Sequence, residues 1–323
     1  MTNISSILAG AALAVAILTG QAIAQDKTVA IANLGPHPAL NAVVDGFKRG
    51  MADGGYVDGT DVCYAYQDAS FDASVVAQMI TTLEAQNPDL FLTVTTPISQ
   101  AARRVVQNKS IPIVFAPVTD PVDAGLVPSW EGGSDRFTGA SNLQSMETVF
   151  KFAANLLGRA DKIGLLYNPG DANDVVNISY AEAAAKAMGI ELVSVSVETT
   201  ADIPVRVNAL KDTDVIYLIP SSMLQPALPA VAAAARRIDV PVINASPVGV
   251  EDGQILASMA VSWFEVGRQA GLRAARLLDG EAVSSIDIYR PAPADHAPLI
   301  SAAFMNASGM TLPAALADCG CVK

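Results

Sequence analysis

Residues Leu90–Ala102, LFLTVTTPISQAA, decide the fold class of this chain. The apolar run Leu90–Val94 stops at Thr95, Thr96 and Pro97, and an amphipathic stretch follows. A buried strand that leads into a helix after so short a turn is typical of a βα unit. Threonine is a good N-cap and proline suits the first helical turn, so the two threonines could simply cap the helix. The same junction exposes backbone N–H groups that a ligand could use, and this stretch alone leaves both interpretations open.

The first part of the chain repeats this βα unit. Short β-branched runs alternate with amphipathic stretches that are rich in alanine and leucine. The predicted strands are Thr28–Asn33, Val62–Tyr66, Leu90–Val94 and Ile113–Phe115, and the predicted helices are Leu40–Gly54, Ser74–Gln86 and Ser99–Gln107. Because the strands are apolar throughout, the pattern predicts a parallel sheet that is covered by helices on both faces.

A second series of the same kind begins after the pause at Gly132–Asp135. Its predicted helices are Met146–Leu157, Asn177–Met188, Ile203–Leu210 and Leu228–Ile238, and its predicted strands are Lys162–Tyr167, Glu191–Val197, Val215–Ile219 and Val242–Asn244. We therefore expect an α/β protein with two doubly wound parallel-sheet lobes of similar size.

The last part of the chain is too short for a third α/β lobe. It reads as a strand at Ile255–Ser258, a helix at Trp263–Leu278 and short strands at Ile286–Tyr289 and Leu299–Met305. These elements should complete the two lobes, so that the chain crosses between them more than once and forms a multi-strand hinge with a cleft. We predict an N-terminal lobe of residues 25–142 plus about 262–288 and a C-terminal lobe of residues 143–261 plus about 289–323.

Charge and the first residues limit the possible functions. The net charge is −12, from 32 acidic and 20 basic residues, and no Lys/Arg cluster is present, which argues against a nucleic-acid partner. Residues 1–24 resemble a secretory signal peptide, because the apolar run Ile7–Thr19 precedes the small-x-small site Ala22-Ile23-Ala24. The run is short for a membrane anchor, although it lacks a basic n-region. We expect cleavage after Ala24 and a periplasmic protein.

The sequence contains three cysteines and does not decide their roles. Cys63 lies in a strand-like stretch and is expected to be a small core residue. Cys319 and Cys321 are in the last five residues, where they could pair locally or between chains, bind a soft metal weakly, or lie in a frayed tail.

The sequence lacks the common motifs of catalysis. It contains no G-x-G-x-x-G, no G-x-x-x-x-G-K-[ST] and no G-x-S-x-G, so neither nucleotide binding nor a hydrolase nucleophile is indicated. The two histidines, His37 and His296, have no serine placed beside them by any motif, and no His/Cys/carboxylate cluster has metal-ligand spacing. We predict a protein that is not an enzyme, with no cofactor and no metal.

Polar groups instead follow several predicted strands. Val114–Val127, VFAPVTDPVDAGLV, and Tyr167–Val175, YNPGDANDV, both place hydroxyl, amide or carboxylate groups directly after a strand. Tyr217–Ala227, YLIPSSMLQPA, is faintly similar to the opening stretch, with two hydroxyl residues and then a glutamine, although the match is too short to prove a duplication. In open α/β sheets ligands bind at these carboxyl ends. Hydroxyls and helix N-termini suit a carboxylate, and aspartates suit an ammonium.

These segments resemble one known family. His37–Tyr56, TTPISQAA, IPIVFAPVTDPVDAGLV, KIGLLYNPGDAN and VGRQAG are similar, in the same order, to the substrate-binding proteins of ABC importers that resemble the tryptophan and tyrosine binders. The resemblance covers nearly all of the chain after the signal peptide. It implies the type I periplasmic-binding-protein fold, a small ligand trapped between two hinged lobes, and delivery to an ABC permease in the inner membrane by a monomer.

The resemblance also implies ligand-binding residues, with departures. Thr95, Thr96 and Gln100 match the family's TP-x-x-Q loop. Where the family usually has Glu and then Asn-Ser, this chain has Asp171 and then Asn173-Asp174, and Ser221-Ser222 replaces an Asp-Asn pair. The full set of candidates is His37, Thr95, Thr96, Gln100, Thr119, Asp120, Tyr167, Asn168, Asp171, Asn173, Asp174, Ser221, Ser222, Ser246 and Trp263.

Each candidate also has a purely structural interpretation. Asp120 could cap the Pro121 turn, Asp171 and Asn173 could form Asx-turns, Ser221 could cap a helix, and Trp263 could belong to the core. The ligand that we expect is an amino acid with an apolar or aromatic side chain. A binder of another solute, a ligand-sensing receptor of the same fold and an enzyme that uses a histidine remain the alternatives.

Overall fold

The computed structural model describes residues 27–323. The predicted signal peptide and its cleavage site lie outside the described residues. Between residues 27 and 323, no helix is both long enough and apolar enough to cross a membrane.

The first sheet has five parallel strands in the order β2-β1-β3-β4-β5. Its strands are β1 (Lys27–Asn33), β2 (Val62–Asp68), β3 (Leu90–Thr93), β4 (Ile113–Phe115) and β5 (Phe137–Gly139). The helices between them are α1 (Pro38–Asp53), α2 (Val76–Glu84) and α3 (Thr96–Val105). Strands β1, β3 and β4 are almost wholly buried, as their continuous apolar sequences require.

The second sheet has six strands in the order β11-β10-β9-β8-β6-β7, parallel except for β11, which runs antiparallel to β10. Its strands are β6 (Lys162–Tyr167), β7 (Glu191–Ser196), β8 (Val215–Leu218), β9 (Val242–Asn244), β10 (Ala257–Val261) and β11 (His296–Ile300). The remaining helices are α4 (Met146–Leu157), α5 (Ala172–Met188), α6 (Ile203–Asn208), α7 (Leu228–Arg237), α8 (Trp263–Leu278) and α9 (Ala302–Ser308). The predicted α/β class with two doubly wound lobes is confirmed.

Helix α8 returns to the first lobe and packs closely on α1. Glycines allow this approach, because a Cβ built on Gly46 would lie 1.9 Å from the carbonyl oxygen of Phe264, and one on Gly271 would lie 2.1 Å from that of Phe47. The apolar core of this lobe accordingly combines residues 29–140 with residues 261–288. The other two apolar cores lie between residues 146 and 321. These cores support the predicted lobe boundaries, which we retain as a proposal.

The segments that connect the lobes pair with one another. Ser141 N–H donates to the Tyr289 carbonyl at 2.8 Å, and Tyr289 N–H donates to the Gly139 carbonyl at 3.0 Å. Ser145 N–H donates to Nε2 of His296 at 2.9 Å. The hinge is therefore hydrogen-bonded across strands of the crossing chain.

Several local predictions were wrong. Ile286–Tyr289 forms no strand beyond a single bridge of Tyr289 to Ala140. The strand predicted at Leu299–Met305 ends at Ile300, because Ser301 caps α9 by accepting a hydrogen bond from Phe304 N–H. The short strand β5, FTG, was not recognised because it has a single large apolar residue, whereas the equally short β4 and β9 each begin with two β-branched residues.

The cysteine predictions are also settled by the structure. Cys63 is exposed rather than in the core, because β2 is the edge strand of its sheet. Cys319 and Cys321 form a local disulfide. The tail is not frayed, since Val322 bridges Ile300 of β11.

Candidate functional site

A small cavity lies between the carboxyl ends of the two sheets and is lined by both lobes. Its polar lining residues from the first lobe are His37, Thr95 and Thr96, and Asn142 is added by the segment that leaves this lobe after β5. Those from the second lobe are Asn173, Ser221, Ser222 and Gln225. The apolar wall is formed by Leu34, Leu40, Phe71, Pro117, Pro220, Pro226 and Trp263. No Asp, Glu, Lys or Arg is among these lining residues.

The strand ends of the two lobes face each other in three pairs. At one end, Thr119 after β4 hydrogen-bonds Asn173 after β6. At the other end, Trp263 Nε1 donates to the carbonyl of Ala245 after β9 at 3.2 Å. The order β1-β3-β4 in one sheet and β9-β8-β6 in the other then places the end of β3 opposite the end of β8. The two hydroxyl pairs, Thr95-Thr96 and Ser221-Ser222, thus belong to the middle of the cavity.

Thr95 does not cap α3 with its side chain. Its Oγ1 makes no hydrogen bond, although the residue is only 6% exposed. Its backbone has φ 91° and ψ 158°, a region that strains any residue with a Cβ and that recurs where proteins hold ligands. The interpretation of Thr95 as a side-chain cap is therefore wrong. The start of α3 presents a strained residue with an unpartnered buried hydroxyl to the cavity.

Asp171 and Asp174 lie behind the cavity wall and not on its surface. Asp171 is the N-cap of α5, and its Oδ1 accepts from Asn173 N–H at 2.9 Å. Burial raises the pKa of Asp171, while hydrogen bonds from Asn173 and Ser222 oppose that rise. The Asx-turn interpretation of Asp171 is confirmed.

Asp174 is completely buried in the first turn of α5. Its carboxylate accepts from Ser221 Oγ at 2.7 Å, from Asn168 N–H at 2.8 Å and from Asn173 Nδ2 at 3.4 Å. Burial, and then the charge of Asp171, raise the pKa of Asp174 to about 7. Asp174 therefore holds Asn173 and Ser221, which themselves line the cavity.

Hydrogen bonds cross the cleft beside the β4–β6 end. Thr119 contacts Asn173 directly, and Asn177 Nδ2 donates to Thr119 Oγ1 at 3.5 Å. Tyr180 of α5 donates its hydroxyl to Asp120 Oδ2 at 2.7 Å. The other oxygen of Asp120 accepts from Val122 N–H and Asp123 N–H, so Asp120 also caps its turn as the structural interpretation expected. These bonds join the lobes in a closed arrangement.

His37 and Trp263 are buried at the opposite end. His37 Nδ1 accepts from Ala39 N–H and caps α1. Burial lowers the pKa of His37, and a hydrogen bond to the backbone of Gln225 in the other lobe acts in the opposite direction. The imidazole is thus neutral, with Nε2–H available to the Gln225 carbonyl. Trp263 combines the two interpretations, since it belongs to the first core and also lines the cavity.

The structure places the other candidates outside the cavity lining. Gln100 Nε2 donates to the Ala124 carbonyl, and Asn168 packs its amide against the sulfur of Met223. Tyr167 packs half-buried on a core of the second lobe. Ser246 lines a neighbouring apolar groove.

Sequence reasoning missed several lining residues. Gln225 follows the serine pair in YLIPSSMLQPA as Gln100 follows the threonine pair. Only Gln100 was named as a candidate, although the motif gave no reason to prefer it. Asn142 follows β5, a strand that was not recognised. Leu34, Leu40 and Phe71 are ordinary apolar residues, and only the folded arrangement shows that they form a wall. No group of three or more His, Cys, Asp and Glu residues able to hold a metal occurs in the described chain.

Comparisons with known proteins agree with this geometry. The sequence pattern of the family described as ABC transporter substrate binding protein matches residues 28–312. The tyrosine-binding protein of Clostridioides difficile (strain R20291) is 28% identical over 265 residues, which cover 82% of this chain and 76% of that protein.

Solved structures show the same architecture. A conserved domain protein from Vibrio cholerae O1 biovar El Tor str. N16961 has a TM-score of 0.85 and 30% identity, over 93% of this chain and 100% of that one. An ABC domain from Streptococcus pneumonia in complex with L-Trp also has a TM-score of 0.85, at 22% identity over the same shares. With a family match over most of its length and the type I periplasmic-binding fold, the chain belongs to the ABC transporter substrate binding proteins.

Proposed function

We propose that this protein captures an amino acid with an aromatic or apolar side chain between its two lobes and delivers it to an ABC permease in the inner membrane. The observation that carries the proposal is the enclosed cavity, which has an apolar wall with Trp263 and Phe71 and a polar middle with Thr95 and Ser222. The names of the similar proteins support an aromatic ligand. Export to the periplasm and action as a monomer are part of the same proposal.

The ligand would couple binding to closure. One lobe binds first, and the second lobe then closes about the hinge and excludes water, which strengthens the hydrogen bonds to the ligand. The bonds of Thr119 to Asn173 and of Tyr180 to Asp120 form only when the lobes meet. The ligand can shift the equilibrium toward this state by no more than its differential affinity for it.

The middle of the cavity suits the two charged groups of an amino acid. The carboxylate would accept from Thr95 Oγ1 and from the free N–H groups at the start of α3, where the helix dipole is positive. The ammonium would lie at Ser222, which lines the cavity and lowers the pKa of the buried Asp171 carboxyl behind it. The carboxylate that balances the ammonium would therefore lie one residue behind the cavity wall and would not contact the ammonium directly.

A second candidate ligand follows from the same lack of a carboxylate in the cavity lining. Because no ionised side chain lines the cavity, an uncharged polar solute with an apolar ring would also be enclosed without an unpaired buried charge. Catalysis is not part of the proposal, since His37 caps α1 and His296 holds the hinge.

The test is thermal unfolding of residues 25–323 after unfolding and refolding to remove bound ligand. At about a hundred times its dissociation constant, a ligand should add about 2.7 kcal/mol to the free energy of unfolding and raise Tm by a few degrees. We expect this shift with aromatic or branched amino acids. A shift only with uncharged ring compounds would select the second candidate, and no shift with any small solute would contradict the proposal.

A further inference from the structure

Gln225 is a polar cavity residue with one unused hydrogen-bonding atom. It is 5% exposed and lines the cavity from the second lobe. Its Oε1 is buried and has no hydrogen-bond partner. A buried acceptor in this state costs free energy unless something pairs with it, so the atom points to a ligand.

The orientation of the Gln225 amide is fixed by its other end. Nε2 donates to the carbonyl of Ile219 at 2.9 Å and to Oδ1 of Asn244 at 2.7 Å. A main-chain carbonyl can only accept, so the nitrogen must face Ile219 and the amide cannot be flipped. Oε1 is consequently an acceptor whose partner must be an N–H or O–H donor.

The position of Gln225 indicates which part of the ligand it meets. Asn244, which anchors it, precedes Ala245, the residue whose carbonyl binds the indole of Trp263. His37 of the other lobe lines the same cavity as Gln225. Gln225 therefore lies next to the Trp263 end of the cavity, while its own N–H donates to the Ser221 carbonyl in the middle at 3.2 Å.

We propose that Gln225 Oε1 accepts a hydrogen bond from a donor on the ring of the ligand, such as an indole N–H or a phenol O–H. This inference rests on the proposed function and narrows it to aromatic amino acids that carry a ring donor. A ring without one would leave Oε1 buried and unpaired, and the site would discriminate against it. Because the cavity is lined by both lobes, with His37 from one and Gln225 from the other, a ring that pairs with Gln225 also favours closure.

Two pairs of matched ligands test the proposal by calorimetric titration. L-Tyrosine and L-phenylalanine differ by the hydroxyl alone, and L-tryptophan and 3-(3-benzothienyl)-L-alanine differ by sulfur in place of N–H. In the wild type, we expect at least one pair to favour the donor-bearing ligand by about ten-fold or more. In Gln225→Met that preference should fall to about two-fold or less, whereas Gln254→Met, a control outside the cavity lining, should keep it.

The outcomes separate this inference from the proposed function. Equal affinities within both pairs in the wild type would overturn the role of Gln225 and leave amino-acid binding intact. A preference that persists in Gln225→Met would also overturn it. If no amino acid binds at all, the proposed function fails and this inference fails with it. The wild-type series needs no variant, so poor folding of Gln225→Met would not prevent the test.

Discussion

The hydroxyl of Tyr180 donates a hydrogen bond to the carboxylate of Asp120 across the cleft, with 2.7 Å between the two oxygens. Burial, and then the Asp120 hydrogen bond and charge, raise the pKa of Tyr180 to about 12, so the phenol remains a donor at neutral pH. The pair lies outside the cavity lining and joins α5 of one lobe to the loop after β4 of the other. It is a contact of the closed state that does not touch the ligand.

Removing this contact should weaken ligand binding by destabilising the closed state. We expect Tyr180→Phe to raise the dissociation constant by about three- to ten-fold, which corresponds to roughly 0.7 to 1.4 kcal/mol. Tyr56→Phe is the matched control, because Tyr56 donates to Asp279 at 2.9 Å within the first lobe. Calorimetric titration of both variants checks the prediction, and an equal loss in both would mean that the Tyr180 bond is not specific to closure.

Thr95→Val should separate ligand binding from stability. Valine has the shape of threonine but removes a buried hydroxyl that has no partner in the protein. We therefore expect the Tm of the ligand-free variant to equal or exceed that of the wild type, while its affinity for the ligand falls by about ten-fold. Thr95→Ser keeps the hydroxyl and should bind normally. A large loss of Tm with unchanged affinity would show that the hydroxyl has a structural role.

The stretch Leu90–Ala102 shows which features of the fold could be predicted from the sequence and which could not. The alternation of apolar strands and amphipathic helices identified both sheets, because burial of a parallel strand on two faces leaves a strong pattern. The same reasoning left open whether Thr95 caps α3, and the structure gives it φ 91° with no hydrogen bond from its side chain to the helix. Strain of this kind depends on the whole fold and leaves no local signal.

The candidate site was predictable in position but only partly in membership. Of the candidates from motifs at strand ends, the structure places His37, Thr96, Asn173 and Ser221 in the cavity lining. Asp174 was taken for a ligand-facing residue, yet it is buried behind Ser221. A one-residue step along a helix start turns a side chain by about 100°, so spacing alone could not distinguish the wall from its support.

The buried carboxyl of Asp174 predicts a pH dependence of stability. Its pKa rises from 3.8 to about 7 on folding, so the folded state binds the proton more tightly. The contribution of Asp174 is fully present below about pH 3.8 and is lost as the pH rises toward 7. Over this range, the free energy of unfolding of the wild type should fall relative to that of Asp174→Asn. Urea denaturation at several pH values measures the difference, with the exposed Asp123→Asn as control; a flat difference would contradict the assignment.

His296 predicts the opposite trend at the hinge. Its Nε2 accepts from Ser145 N–H at 2.9 Å, and its Nδ1 lies 3.2 Å from the Ala292 carbonyl, which fits a neutral ring protonated at Nδ1. Burial lowers the pKa of His296 below its usual 6.5, although nearby carbonyls and Asp295 oppose this. The stabilising contribution is present above pH 6.5 and is lost as the pH falls through the folded-state pKa.

Replacing the hinge histidine should remove that acid sensitivity. His296→Gln retains an acceptor for Ser145 N–H but does not titrate, so the stability of the variant should decline less than that of the wild type below pH 6.5. Thermal unfolding from pH 7.5 to 5.0 checks this expectation. Parallel curves for the two proteins would exclude a contribution of His296 to the acid response.

The central claim is that the ligand is enclosed when two lobes close about a hinge. Small-angle X-ray scattering of refolded, ligand-free protein, with and without a saturating aromatic amino acid whose binding has been verified by calorimetry, tests it directly. We predict that the radius of gyration decreases on saturation and that the bound profile fits the closed arrangement of the structure. An unchanged profile at full occupancy would contradict capture by closure.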